Sequence, residues 1–298
     1  MIHSFTKFKE KLMNYFFLLV ATTSISILAM ITLFLFKEGL PIFEKVGIKA
    51  FIFGNYWYPT ADPAHFGIFP LIIGSVSVTL ISALISIPLG VMTAIYLSEI
   101  ASSRLREIVK PVVELLASLP SVVIGFFGMV IVAPFLQDHF NIATGLNMFN
   151  AAIMLAFMSI PTICTISEDA LYSVPASLKE ASLALGATSF ETIVKVTLPA
   201  ALSGISTAII LGLSRAIGET MVVLMVAGGA AMVPGSIFDP VRPLPGSIAA
   251  EMAEAPYRGD HYYALFAIGI VLFIFTFCFN IIADYLSNKY RQTGDATL

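Results

Sequence analysis

Arg215 and Glu219 are the residues of this chain best placed to act on a charged solute. They stand four apart in Gly212-Leu-Ser-Arg-Ala-Ile-Gly-Glu-Thr220, inside a stretch that is otherwise apolar. On a continuous helix, residues four apart share a face and can pair. Charge within a bilayer is costly, so such groups face a bundle interior or a wet cavity. Local pattern leaves two readings open. The pair holds two helices in register, or it lines a solute pathway. In the second, Arg215 offers positive charge to a passing anion and Glu219 partly neutralises it, so that binding stays weak enough for release.

Bond-making chemistry is not indicated. His3, His65, His139 and His261 fall at predicted ends or in loops, without metal-ligand spacing, and no nucleophile–base pairing is suggested. Gly-x-x-x-x-Gly-Lys-Ser/Thr does not occur, so no ATP site of its own is visible. Cys164 and Cys278 both lie in apolar runs and read as packing residues.

The elements that must position Arg215 are membrane helices. The 298 residues are 58% hydrophobic and 12% charged, with mean hydropathy +0.91. A soluble domain carries about twice that charged fraction. A net charge of −3 gives no sign of a nucleic-acid partner. A bilayer crossing needs about 20 mostly apolar residues. Six such stretches predict an all-α polytopic membrane protein: 15–36, within 69–97, 116–136, 148–166, 200–227 and 263–286. The first follows Lys7, Lys9 and Lys11, exceeds a usual signal core and has no small-x-small cleavage site, so it reads as a retained anchor. With Pro199 at the base of the fifth stretch, Arg215 lies 16 residues on, about 24 Å along the helix and past the midplane.

Orientation follows from Lys and Arg. Lys7, Lys9, Lys11, Arg104, Arg106, Lys110, Lys179, Lys195, Lys289 and Arg291 fall on one side. Lys37, Lys45, Lys49, Arg242 and Arg258 fall on the other. Ten against five puts both termini in the cytoplasm. The opposite side then holds an aromatic loop at 37–68, where Trp57 and its tyrosines suit a membrane interface. It also holds a Pro-rich loop at 232–261, with short helices expected around 247–255. Pro88 is expected to kink the second span and Pro161 to interrupt the fourth.

Residues 175–199 form a polar, helix-forming island between the fourth and fifth spans. Ser177-x-x-Glu180 and Thr188-x-x-Glu191 both have the form of a capping box, and Gly186 between them can end a helix. The expected product is a compact helix–Gly–helix hairpin. On pattern alone, it either rests on lipid as an interfacial hairpin or docks a partner as a rigid knob.

Glu180-Ala181-Ser182, then Gly186, then Val196-Thr197-Leu198-Pro199 resembles the coupling loop of ABC importer permeases, which runs Glu-Ala-Ala, three residues, Gly, nine residues, Ile-x-Leu-Pro. Ser182 and Val196 depart from it and conserve size. Longer stretches are similar to the phosphate-specific permease, PstC type: Phe66-Gly-Ile-Phe-Pro-Leu-Ile-Ile-Gly-Ser75, Tyr96-Leu-Ser-Glu99, Leu116-Ala-Ser-Leu-Pro-Ser-Val-Val-Ile-Gly-Phe-Phe-Gly128, Arg215-Ala-Ile-Gly-Glu-Thr220 and Ala264-Leu-Phe-Ala-Ile-Gly269.

The resemblance implies a type I importer permease fold with a cytoplasmic coupling hairpin, in a bacterial or archaeal inner membrane. The permease core is expected at 67–286. Residues 1–66 hold the N-terminal tail, first helix and outer loop, and 287–298 a cytoplasmic tail. It implies no catalysis and no cofactor in this chain, with ATP and Mg used by a separate ATPase. The implied partners are a PstA-type sister permease, a PstB-type ATPase dimer, a PstS-type phosphate-binding protein, phosphate and membrane lipid. Glu180, Ala181, Ser182, Gly186, Leu198 and Pro199 would couple to the ATPase; Arg215 and Glu219 would serve phosphate passage. One Arg does not distinguish phosphate from molybdate, sulfate or phosphonate. Of the rivals, an ion-coupled secondary transporter would need inverted repeats and more intramembrane polar groups, neither of which is evident, and a non-transporting scaffold of a membrane complex would show no ATP-dependent solute uptake.

Overall fold

The structure, a computed structural model, describes residues 2–290. Arg291 and most of the expected tail at 287–298 lie outside the described residues. Among the described residues, six helices are long and apolar enough to cross a membrane: Glu10–Val46, Phe69–Ile100, Ser121–Phe140, Met148–Tyr172, Ser189–Ile217 and Asp260–Ile282.

The chain begins with α1 (Ile2–Val46) and the short α2 (Ile48–Phe53), followed by a two-stranded antiparallel ribbon, β1 (Trp57–Tyr58) and β2 (His65–Phe66). Next come α3 (Phe69–Ile95), which closes in a wide i→i+5 turn at Tyr96–Ile100, and the amphipathic α4 (Ser103–Ala117). The third crossing is built from α5 (Ser121–Phe127), a second wide turn and α6 (Ala133–Phe140). After α7 (Met148–Tyr172) the chain turns through α8 (Ala176–Ala184) and α9 (Ser189–Thr192) into α10 (Leu198–Ile217). The remaining helices are α11 (Met221–Val226), α12 (Leu244–Glu251) and α13 (Asp260–Tyr290). The turn after α3, the hairpin α8–α9 and the last residues of α13 share one end of the bundle, called here the coupling end. The ribbon and the 229–259 loop share the other, the far end.

Apolar packing falls into three clusters. At the coupling end, Ala94 and Leu97 meet Cys164, Leu171, Val174, Ala201 and Ile205. A second cluster joins Ile124 to Met154, Met158, Val222 and Val226. The third, at the far end, joins Ile42, Phe51, Trp57 and Phe66 to Leu244, Leu265 and Ile268. Between helices in lipid, small residues allow the close approach that dispersion needs. Here the fully buried Ile163 of α7 wedges between two glycines. A Cβ at Gly90 of α3 would sit 2.8 Å from Ile163 Cγ2, and one at Gly212 of α10 would sit 2.6 Å from Ile163 Cγ1. Those contacts lock α3, α7 and α10 together and fix the helix that carries Arg215.

Several expectations change. Pro161, expected to interrupt the fourth span, lies inside the continuous α7. The third span starts at Ser121 rather than 116, because Pro120 bars helix at the residue before it and Ser118 Oγ donates to Leu115 O at 2.7 Å to close α4. The fifth span does not run to 227. It ends at Ile217, and α11 is a separate helix.

Trp57, expected at a membrane interface, is 2% exposed in the far-end core. Strand pairing opposite Phe66 turns it inward, and a buried indole N–H needs an acceptor. Glu251 of α12 supplies one, with both carboxylate oxygens 3.1 Å from Nε1. Arg242 and His261 Nε2, the latter at 2.8 Å, bond the same carboxylate. That hub ties the first long loop to the last. The short helix expected at 247–255 forms slightly earlier, at Leu244–Glu251.

Candidate functional site: the coupling hairpin and the charged break in the fifth span

The hairpin is built by local rules. Pro175 has extended backbone (ψ 131°) and acts as the N-cap of α8. Ser177 therefore falls inside the first turn, and the capping box expected at Ser177–Glu180 does not form. Glu180 is left exposed. At the other end of α8, Ala187 N–H donates to Ser182 O at 3.2 Å and Gly186 N–H to Leu183 O at 2.9 Å. This double closure requires a left-handed residue, and Gly186 takes φ +89°. The second capping box is present: Thr188 Oγ1 accepts from Glu191 N–H at 3.2 Å, and Glu191 Oε2 accepts from Thr188 N–H at 3.1 Å. The Ser182 and Thr192 hydroxyls, 3.0 Å apart, tie α8 to α9. A wide turn, Ile193–Thr197, then carries the chain without a break into Leu198, Pro199 and α10.

The outward face of this stiff hairpin is bare. Glu180, Ala181, Gly186 and Pro199 are exposed, Leu185 is 90% exposed and Phe190 74% exposed. Its inward face is held by charge. Lys179 Nζ lies 2.7 Å from Glu99 Oε1, in the turn that closes α3. Arg106 of α4 donates to the carbonyls of Leu97 and Ser98 in that turn, at 2.7 and 2.6 Å.

Nearby, Lys110 bridges Glu168 (3.2 Å) and Asp169 (3.4 Å) at the base of α7. Burial works against the Lys110 charge, but the two carboxylates outweigh it and raise its pKa above the ordinary 10.5. A raised value means that this tie is fully present below the ordinary lysine pKa and is lost only as pH climbs through the higher one. Neither ion pair was legible as a pair. Glu99 and Lys179 stand 80 residues apart, and partners so distant in sequence leave no local signal.

The second part of the site lies in the last turn of α10. The expected Arg215–Glu219 pair is not formed. The helix ends at Ile217, so position 219 no longer lies one turn above position 215 on a common face. Arg215 is exposed, and its Nη1 is 3.4 Å from Thr162 Oγ1 of α7. Glu219 Oε1 instead accepts from the N–H groups of Met221 (3.2 Å) and Val222 (3.3 Å), starting α11. It thereby satisfies two of the N–H groups a helix start leaves open. Glycine at 218 favours the break, since it weakens helix continuation. The result is a guanidinium with no carboxylate partner among the described residues, at the mouth of a broken helix. Such an arrangement can attract an anion.

Comparison with known proteins fits this geometry. Residues 86–292 match the model of the family described as binding-protein-dependent transport system inner membrane component. A probable ABC transporter permease of Bacillus subtilis, YqgH, is 40% identical over 88% of this chain and 85% of its own length. The phosphate transport system permease PstC of Mesorhizobium japonicum is 35% identical over 80% of this chain and 77% of its own. Among solved structures, a bacterial alginate ABC transporter in complex with an alginate pentasaccharide-bound periplasmic protein superposes with TM-score 0.63 at 15% identity, over 93% of this chain and 96% of the matched one. The inward-facing methionine ABC transporter MetNI does so with TM-score 0.58 at 23% identity, over 73% and 93%. The chain belongs to the family of inner membrane components of binding-protein-dependent transport systems, the permeases of ABC importers.

Proposed function

We propose that this permease forms, with a PstA-type sister, the membrane pathway for inorganic phosphate, driven by a PstB-type ATPase dimer and supplied by a PstS-type binding protein. ATP and Mg act in the ATPase. The coupling end then faces the cytoplasm together with both termini, as the ten-to-five distribution of Lys and Arg favours.

The observation that carries the proposal is the hairpin at 175–199: braced from within by Lys179–Glu99 and bare outside at Glu180, Leu185, Gly186 and Phe190. A hairpin made to lie on lipid would not need a buried carboxylate anchoring it to a neighbouring helix. Arg215 supports an anionic solute, and the PstC relatives, at 35% and 34% identity for the first two, favour phosphate among anions. Glu219 acts by holding the break open beneath Arg215, rather than by neutralising it.

The test is radiolabelled phosphate uptake into vesicles that carry the whole assembly, with molybdate and sulfate as competitors. ATP-dependent uptake that excess unlabelled phosphate abolishes and the other two leave intact supports the reading. Stronger competition by molybdate or sulfate would reassign the solute and leave the permease role standing.

A further inference from the structure

Lys179 and Glu180 are adjacent on α8 but have different surroundings. Glu180 is exposed, whereas Lys179 turns back to a carboxylate whose side chain is 9% exposed. Glu99 is not a loose surface residue. Its Oε1 also accepts from Ser98 Oγ at 3.0 Å, and its turn is pinned by both Arg106 bonds. Leu97, two residues before it, is 1% exposed in the coupling-end core. The chain itself joins the hairpin to α7 and α10. The Lys179–Glu99 bond adds a link to α3, which reaches Ile163 of α7 through Gly90. A nearly buried ion pair contributes little net stability, because desolvation offsets the attraction; what it supplies is a defined position.

We infer that Glu99 and Lys179 form the latch by which movement of the hairpin is passed to α3, so that the span shifts with α7 and α10 as one body. Both are positioning residues, acting through the helices they join. This rests on the reading of the hairpin as the ATPase dock. Without the latch the ATPase would still dock and turn over, while α3 lags and strokes are wasted.

The test measures ATP hydrolysed per solute accumulated by the complete assembly in vesicles. Glu99→Gln keeps shape and removes charge; it should raise that ratio about tenfold, a common size for coupling between sites, with the ATPase still co-purifying. Lys179→Met should do the same, and Lys179→Arg should stay near the unaltered ratio. The exchanged double variant Glu99→Lys with Lys179→Glu should recover coupling relative to either single exchange, which a purely local packing role would not give. An unchanged ratio in Glu99→Gln and Lys179→Met overturns the latch. Loss of the ATPase from Glu99→Gln also overturns it, because the pair would then serve assembly. Gly186→Trp separates the two ideas: if it uncouples while the latch variants do not, the dock stands and the latch falls. If all are silent, the dock falls too.

Discussion

Arg215 brings positive charge to the end of an apolar helix, and among the described residues its guanidinium bonds the Thr162 hydroxyl at 3.4 Å. That is too long and too neutral to satisfy a guanidinium, whose planar fork suits bidentate oxyanions. Arg215→Gln should lower phosphate uptake by at least about tenfold, the equivalent of one lost charge-assisted contact, with the assembly purifying intact. Normal uptake would remove Arg215 from the pathway. Glu219 makes a different demand. Its oxygen caps α11, so Glu219→Gln keeps an acceptor, whereas Glu219→Ala should cost about 1 kcal/mol, seen as a lower apparent melting temperature for alanine only. Arg215 lies in the fifth span as expected, but Glu219 falls just past its end, and the expected pairing is not formed. The i,i+4 rule holds only while the helix continues, and the end of this one at Gly218 depends on tertiary packing of α11 against α5 and α7.

At the scale of elements, local chemistry was legible where it is complete within a few residues. The Thr188–Glu191 box and the Gly186 closure each need only neighbours, and both formed. Ser177–Glu180 failed because Pro175 claimed the cap first. The helix triad α3–α7–α10 shows what pattern alone leaves out. Gly90 and Gly212 carry no sign in the sequence of what packs against them, and only the fold places Ile163 between them. Gly212→Ala should overpack that wedge and cost about 1–3 kcal/mol, read as a lower apparent melting temperature in detergent. It should also weaken uptake by displacing the helix that carries Arg215. A fully stable, fully active variant would mean that α10 and α7 are not held this closely.

Across the whole molecule, charge is concentrated at the two ends. The far end is knotted on Glu251 by Trp57, Arg242 and His261. The coupling end is knotted by Glu99–Lys179 and Lys110–Glu168. Composition made the six spans readable and the aromatic first loop conspicuous, but not the burial of Trp57, which follows from a hairpin register and a carboxylate almost two hundred residues away. Because Trp57 is the sole tryptophan, its fluorescence reports the far-end knot directly. Glu251→Ala leaves an indole, a guanidinium and an imidazole without their common acceptor. Breaking a largely buried pair of this kind costs about 3–5 kcal/mol, so the emission should shift to the red at lower temperature than in the unaltered chain.

The claim on which the rest depends is that the hairpin tip faces the cytoplasm and is covered by the ATPase. Leu185, 90% exposed at the end of α8, is the place to probe it, in a background where the exposed Cys278 is replaced by serine. Leu185→Cys should react with a membrane-impermeant maleimide only in inside-out vesicles, and bound ATPase should protect it. Labelling in right-side-out vesicles would contradict the orientation, and labelling that the ATPase leaves unchanged would contradict the docking.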